Sequence, residues 1–332
     1  MVTNRLALFW LAVAVWAQPG PPRIGTIEFF GAARVSQAKL REALHVKEGD
    51  PLPRSKGELE EALEAVGGVV RANVEAQCCE DGKAVLYIGI EERGGPRMEL
   101  RDPPAAELSA PEAVHEAYQQ YLEAVSRAPG ASEDLRQGHA VSSDIRTGLA
   151  QERFIGLADL HEAELRKVLR EAAGEDERAM AATVLGYTPR KRAAVADLQY
   201  AMQDPSGEVR RNAMRSLAAI YVFGAEDAEL DIRVQPTWFV EMLHSIEWRD
   251  RQQAARALSI LTDKREEKLL QLLRERALRP LIEMASWKNL EHALPAYLVL
   301  GRAIGTEEKP LLEAWALGKR DGVLQRARKA LR

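Results

Sequence analysis

Cysteine is almost missing from this chain: its 332 residues hold two, Cys78 and Cys79, side by side. A bond between neighbours closes a small strained ring and joins no distant elements, so a disulfide framework is excluded. The pair reads as two small residues at a strand end, with free thiols or occasional intermolecular bonding. A redox pair is the alternative, although Cys-x-x-Cys spacing and a nearby base are both lacking. Charge of one sign is also scarce. Forty-six basic against 50 acidic residues leave a net charge of −4, so no global field draws the chain to nucleic acid or an anionic surface. Aromatics make up only 6%, which favours helix over sheet for most of the length. After the first 17 residues no long apolar run occurs, so nothing downstream resembles a membrane span.

Motifs of catalysis and ligand binding are missing as well. The six histidines are scattered, and His115-Glu116 and His161-Glu162 open like zinc-protease motifs without supplying the second histidine. No Gly-x-Ser-x-Gly elbow, phosphate-cradling glycine loop or dinucleotide fingerprint is present. Acidic pairs such as Glu60-Glu61 and Glu266-Glu267 suit solvated helix faces better than catalytic carboxylates. No catalytic residue, metal or cofactor is expected.

The first residues carry a recognisable pattern. Arg5, the apolar run Leu6 to Ala17 and the small residue before Gln18 match the three parts of a secretory signal peptide. The run is well short of the roughly 20 residues that cross a bilayer as a helix. Residues 1–17 are therefore expected to direct export, with cleavage after Ala17 and a periplasmic or secreted product; an uncleaved anchor is the alternative.

From Ile24 the pattern turns strand-like, closing at Gly31. Ser36 can cap a helix over Gln37 to Leu44, Gly49-Asp50-Pro51 breaks it, and a second helix spans about Lys56 to Ala65. Two strands, Val69 to Gln77 and Lys83 to Glu91, flank the turn-forming Asp81-Gly82. The order is βααββ. With Ile27-Glu28-Phe29-Phe30-Gly31, Val46-Lys47-Glu48-Gly49-Asp50, Gly67-Gly68-Val69 and Ile88-Gly89-Ile90-Glu91, residues 23–93 resemble the POTRA domain found on the periplasmic side of outer-membrane assembly and secretion proteins. The resemblance implies binding by strand addition at an exposed sheet edge. Val69, Val70 and Val74, on the strand Val69 to Gln77, are the candidate contacts. One such unit, with no following β-barrel, departs from the family's usual surroundings and puts a pore or insertase role in doubt.

Gly94-Gly95 and Pro96, Pro103 and Pro104 mark residues 94–110 as a linker expected to make few long-range contacts. Residues 111–174 form a helical connector, with a helix over Ala113 to Ala128, a loop at 131–144, and a stronger helix over Asp159 to Ala173. From about 175 the chain repeats itself. The pattern Arg-x-x-Ala-x-x-x-Leu recurs from Arg178, Arg210 and Arg251, and weaker copies place Ala296 with Leu300 and Ala327 with Leu331. The alanines at 181, 213, 254, 296 and 327 are spaced by 32, 41, 42 and 31 residues, as expected of five helix pairs with variable connectors. The turn Asp204-Pro205-Ser206-Gly207-Glu208-Val209-Arg210 resembles that of HEAT repeats, particularly the short phycobilin-lyase-like type. Asp176, Asp250 and Asp321 fall in comparable turns at different offsets, so the Asp and Arg ladder of a regular array is expected to be incomplete.

The expected architecture is α+β: a small POTRA-like sheet domain at 23–93, then an all-α HEAT-type solenoid over 175–332. Trp238, Trp248, Trp287 and Trp315 fall in the array, as core or as anchors on a binding face. The last helix, with Lys319, Arg320, Arg326, Arg328, Lys329 and Arg332, is a polar cap able to touch a membrane surface weakly. The expected function is an exported, non-enzymatic adaptor of the cell envelope, holding one protein or peptide partner on the sheet and another along the helices, without nucleic acid. An enzyme or enzyme accessory with a lyase-like groove is the alternative.

Overall fold

The protein is described by a computed structural model that covers residues 22–80, 82–128 and 130–331. The expected signal segment, 1–17, lies outside the described residues. A three-stranded sheet comes first, with β1 (Arg23–Phe30), α1 (Gln37–Leu44), α2 (Gly57–Glu64), β2 (Val69–Glu80) and β3 (Lys83–Glu92) in the expected order. The strands lie in the order β1-β3-β2, with β3 parallel to β1 and antiparallel to β2. Leu40 and Leu44 of α1, with Leu59 and Leu63 of α2, stand one turn apart and are buried against Ile27, Val74 and Ile88. Ser36 does occupy the cap position of α1, but its side chain makes no capping bond. Cys78 is disulfide-bonded, which corrects the free-thiol reading.

Neither sheet edge is open along its length. The stripe of α2 next to its leucines carries Glu60 and Glu64, which accept from the backbone N–H groups of Val74 at 2.9 Å and Ala72 at 3.0 Å. On β1, Ile24 N–H donates to the Asp50 carbonyl at 2.8 Å, and Arg41 reaches the Ile27 carbonyl at 3.3 Å. These contacts occupy groups that an added strand would need.

The helical part begins with α3 (Glu112–Arg127), a two-residue ladder of β4 (Glu133–Asp134) and β5 (Val141–Ser142), and α4 (Ile145–Leu160). The single helix expected from Asp159 is broken at His161, whose φ of −111° and ψ of 19° separate α4 from α5 (Glu162–Glu171). The array follows as α6 (Glu175–Leu185), α7 (Lys191–Ala201), α8 (Gly207–Glu226), α9 (Thr237–Met242), α10 (Trp248–Leu261), α11 (Glu267–Arg276), α12 (Leu278–Ala285), α13 (Leu290–Ala303), α14 (Glu308–Ala316) and α15 (Asp321–Ala330). Because α5 is the partner of α6, the array starts at 162 rather than 175, and α11 is an inserted helix absent from the expected pairs.

In each strong copy the pattern alanine and leucine are fully buried: Ala181 with Leu185, Ala213 with Leu217, and Ala254 with Leu258. The small residue lets α6, α8 and α10 approach, and the leucine one turn on fills the layer. The leading arginine of each copy builds a ladder through the interior. Arg178 donates to Asp204 at 2.8 Å and to the Ala172 carbonyl; Arg210 donates to Asp250 at 2.8 Å and to the Asp204 carbonyl; Arg251 donates to Glu283 at 3.1 Å and to the Ser245 carbonyl. Each guanidinium thus closes its own turn and reaches the next repeat. The ladder has three rungs, with Glu283 on α12 replacing a turn aspartate in the last.

Residues 94–110 do not behave as a free linker. Arg101 N–H donates to the Gln203 carbonyl at 2.8 Å, its guanidinium lies 3.5 Å over the Tyr200 ring, and Ala106 pairs with Ala172 as a parallel bridge. The segment is a strap laid over the turns that precede α8 and α6.

Candidate binding surface

The same edge of the array carries the sheet. Val85 and Tyr87 of β3 and Phe30 of β1 belong to the core of the helices, whereas Leu86, Ile88 and Ile90 face α1 and α2. Gly89 is needed here, because a Cβ on it would lie 1.9 Å from the Ile246 carbonyl oxygen. One row across the sheet, Glu28, Tyr87 and Glu75, aligns by register and docks on two successive turns. Tyr87 stacks on Trp248 at 4.7 Å, meets Trp287 at 4.9 Å, and its hydroxyl is 2.7 Å from His292 Nδ1. Glu75 accepts from the N–H of Trp248, the first residue of α10, at 2.6 Å, and Glu28 accepts from Lys288 N–H at 2.8 Å. A carboxylate from the sheet therefore serves the positive end of α10.

This arrangement corrects the expected roles of two tryptophans. Trp248 and Trp287 are 6% and 1% exposed, and they anchor the chain to itself instead of lining a groove for a partner. Val69 and Val74 are core residues of the sheet, and Val70 alone of that group is exposed. Trp238 is half-buried against the array's core, and half-buried Trp315 packs 4.8 Å from Tyr297. On the basic last helix, Arg326 bonds Thr306 and Arg328 reaches Ser286, while Arg320, just before it, bonds the Trp287 carbonyl. Arg326, Arg328 and Lys329 stay exposed.

Burial pushes the Glu75 and Glu28 carboxyls above their ordinary range, against the hydrogen bonds they accept from the backbone. The docked sheet therefore takes up protons more readily than the unfolded chain. Its contribution is complete below the ordinary carboxylate range and is lost as pH rises through the raised values. Glu75→Gln keeps an oxygen for Trp248 N–H without the buried charge. Urea unfolding followed across acid to neutral pH should show the variant gaining on the parent as pH rises; a constant difference between the two would remove this account.

With the turn edge occupied, the open feature lies on the second helices of the pairs. Residues 130–147 arch beside α8 and α10 to form a cleft of about 400 Å³, lined by Tyr121, Val125, Leu135, Arg215, Arg256 and Ile260 among others. Arg215 is bonded to Glu133, with Nε–Oε2 at 2.8 Å. Burial alone would lower its guanidinium's pKa, but Glu133 and the Tyr121 phenol raise it further, so this pair is a fixed, charged wall. Arg256 is exposed and makes no side-chain hydrogen bond or ion pair among the described residues. Outside the cleft, Lys191 is brought down to about 7 by burial, but it is 6% exposed and its Nζ donates to the Gly186 carbonyl at 2.7 Å.

No group of three or more metal-ligating side chains is found among the described residues, and no described helix is long and apolar enough to cross a membrane. No curated protein matches the chain. Residues 162–232 match the family model for HEAT repeats, starting at the first residue of α5. The same Arg, Ala and Leu register continues into α10, so the helical repeats extend beyond the matched residues.

Proposed function

We propose that this chain is a non-catalytic protein-interaction scaffold of the cell envelope, exported by its first 17 residues, which holds a protein partner in the cleft between α3, α8 and α10. The observation that carries the proposal is the cleft itself. It is open, it mixes apolar and polar groups as binding sites do, and Ala218 and Ala257 at its floor are buried in the core of the array. Repeats of this type bury one continuous core and leave long faces for partners. The element order and sheet arrangement at 23–93 support the POTRA-like reading. Strand addition is less favoured, since a partner strand would have to displace Glu60 and Glu64 from β2. The sheet acts as a brace on the array, and one body replaces the two-armed adaptor.

The test is a crosslinking pulldown from the envelope fraction with the parent and with Val125→Arg, a change at a partly exposed cleft residue. The variant should keep its unfolding midpoint and lose the partners that the parent captures. Recovery of the same partners by both would overturn the assignment to this cleft. A reporter fused after residue 22 should appear outside the cytoplasm; retention inside would overturn export.

A further inference from the structure

We infer that the partner segment seated on α8 and α10 is an acidic peptide carrying one large apolar side chain, an inference that rests on the scaffold reading. A second opening of about 450 Å³ lies at the N-terminal ends of the same two helices, between them and β2, where Lys56, Arg211 and Arg249 face Glu75 and Glu247. Arg211 and Arg215 are one turn apart on α8, and Arg249, Gln253 and Arg256 follow helical spacing on α10. The arginines of the first cleft and of this second opening therefore form one track, from the sheet edge to α3.

The charges along the track are unevenly committed. The two openings present five cationic side chains, Lys56, Arg211, Arg215, Arg249 and Arg256; Lys56 pairs with Glu60 at 3.4 Å and Arg211 reaches Glu247 and Asp250 at 3.5 and 3.4 Å, which leaves Arg249 and Arg256 the least committed. The carboxylates in the openings, Glu75, Glu133 and Glu247, are engaged as well. Glu75 accepts from Trp248 N–H, Glu247 from Arg210 Nη2 at 2.6 Å, and Glu133 from Arg215. Arg249 is 57% exposed and only 3.7 Å from Glu75 at its closest, and Arg256 has no partner among the described residues. On a chain of net charge −4, these two guanidiniums are free to meet carboxylates of a partner. Between the cations, Val125, Leu135 and Ile260 line a recess suited to one leucine or phenylalanine side chain. Nucleic acid fits less well. The ring in the cleft, Tyr121, packs on Tyr118 and Phe154 rather than standing out for a base.

Fluorescence anisotropy on the full chain tests this, using a short fluorescein-labelled peptide of Asp and Glu around a single Phe. Controls are the same peptide with Lys for the acidic residues, the acidic peptide with Ser for Phe, and a single-stranded oligonucleotide of equal charge. The acidic Phe peptide should bind best, and its affinity should fall as salt rises. Arg256→Glu and Arg249→Glu should each weaken it about tenfold, while Lys329→Glu, far from the track, leaves it unchanged. Equal binding of the Lys peptide, indifference to Arg256→Glu, or tighter binding of the oligonucleotide would each overturn the inference. If the parent ignores the acidic peptide while Val125→Arg still abolishes partner capture, the charge assignment falls and the scaffold stands; if both fail, the cleft is not the site.

Discussion

Arg210→Ala is expected to lower the stability of the folded chain by about 3–5 kcal/mol, because removal of one member of a buried ion pair leaves the other without compensation. Arg210 is 1% exposed and Asp250 is fully buried. The guanidinium donates to Asp250, to Glu247 and to the carbonyls of Asp204 and Pro205, so its loss unties the turn before α8 and the next repeat together. Ser245 and, at 3.4 Å, Arg211 Nη1 would remain as donors to Asp250, too little for a carboxylate out of water. Against a typical total of about 5–15 kcal/mol, the loss is large. Urea unfolding followed by circular dichroism reads it. Arg210→Met with Asp250→Leu should recover part of the deficit, since two apolar residues need no compensation. The exposed pair Arg136–Asp134, with N–O at 2.6 Å, is the control, and its removal should leave the unfolding curve in place. A small effect of Arg210→Ala would mean that the ladder does not hold the repeats in register.

Trp287→Ala is expected to cost about 3–5 kcal/mol as well, through a different route. Trp287 touches Tyr87 at 4.9 Å and Phe30 at 6.0 Å, so its loss empties the seat of the sheet while the rungs at Arg178 and Arg210 stay intact. Hydrogen exchange resolves the consequence. Amides of β1, β2 and β3 should lose protection, whereas those of α6 and α8 keep theirs. Gly89→Ala attacks the same seat from the other side, and the clash with the Ile246 carbonyl should lift β3 from the turn. If the sheet's protection were unchanged in both variants, the sheet would be an independent domain resting on the array without energetic coupling to it.

The repeats were legible because their signal is local. Arg, Ala and Leu at fixed offsets report one helix packing on its neighbour, and the buried positions at 181, 213 and 254 follow from that spacing alone. The order of elements along the sheet domain was legible for the same reason, from alternation and turn residues. What sequence reasoning missed is long-range. The strap 94–110 looked like a linker because its prolines and glycines describe backbone preference and carry no information about the carbonyls of Gln203 or Glu171 that it finds. The tryptophans stayed open between core and partner anchors since an indole suits any apolar contact, internal or external. One signal was available: β3, Lys83–Glu92, is apolar almost without alternation and has Gly89 at its centre, the mark of a strand covered on both faces and approached closely by another backbone. The Glu60 and Glu64 bonds to β2 had no sequence signal, because acidic residues on a helix more often face water.

The docking row joins residues that are far apart in synthesis as well as in sequence: Glu28 to Lys288, Gly31 to Glu283, Tyr87 to His292. A solenoid can form repeat by repeat as the chain emerges, each helix pair adding to the last. The sheet cannot finish that way. Its second face waits, with Phe30, Val85 and Tyr87 uncovered, until about nine-tenths of the polypeptide exists, so closure of the longest loop comes last. Chains truncated before residue 286 would lack Trp287 and His292 against Phe30 and Tyr87, and so would carry a partly uncovered apolar face of the kind that promotes association between unfinished copies.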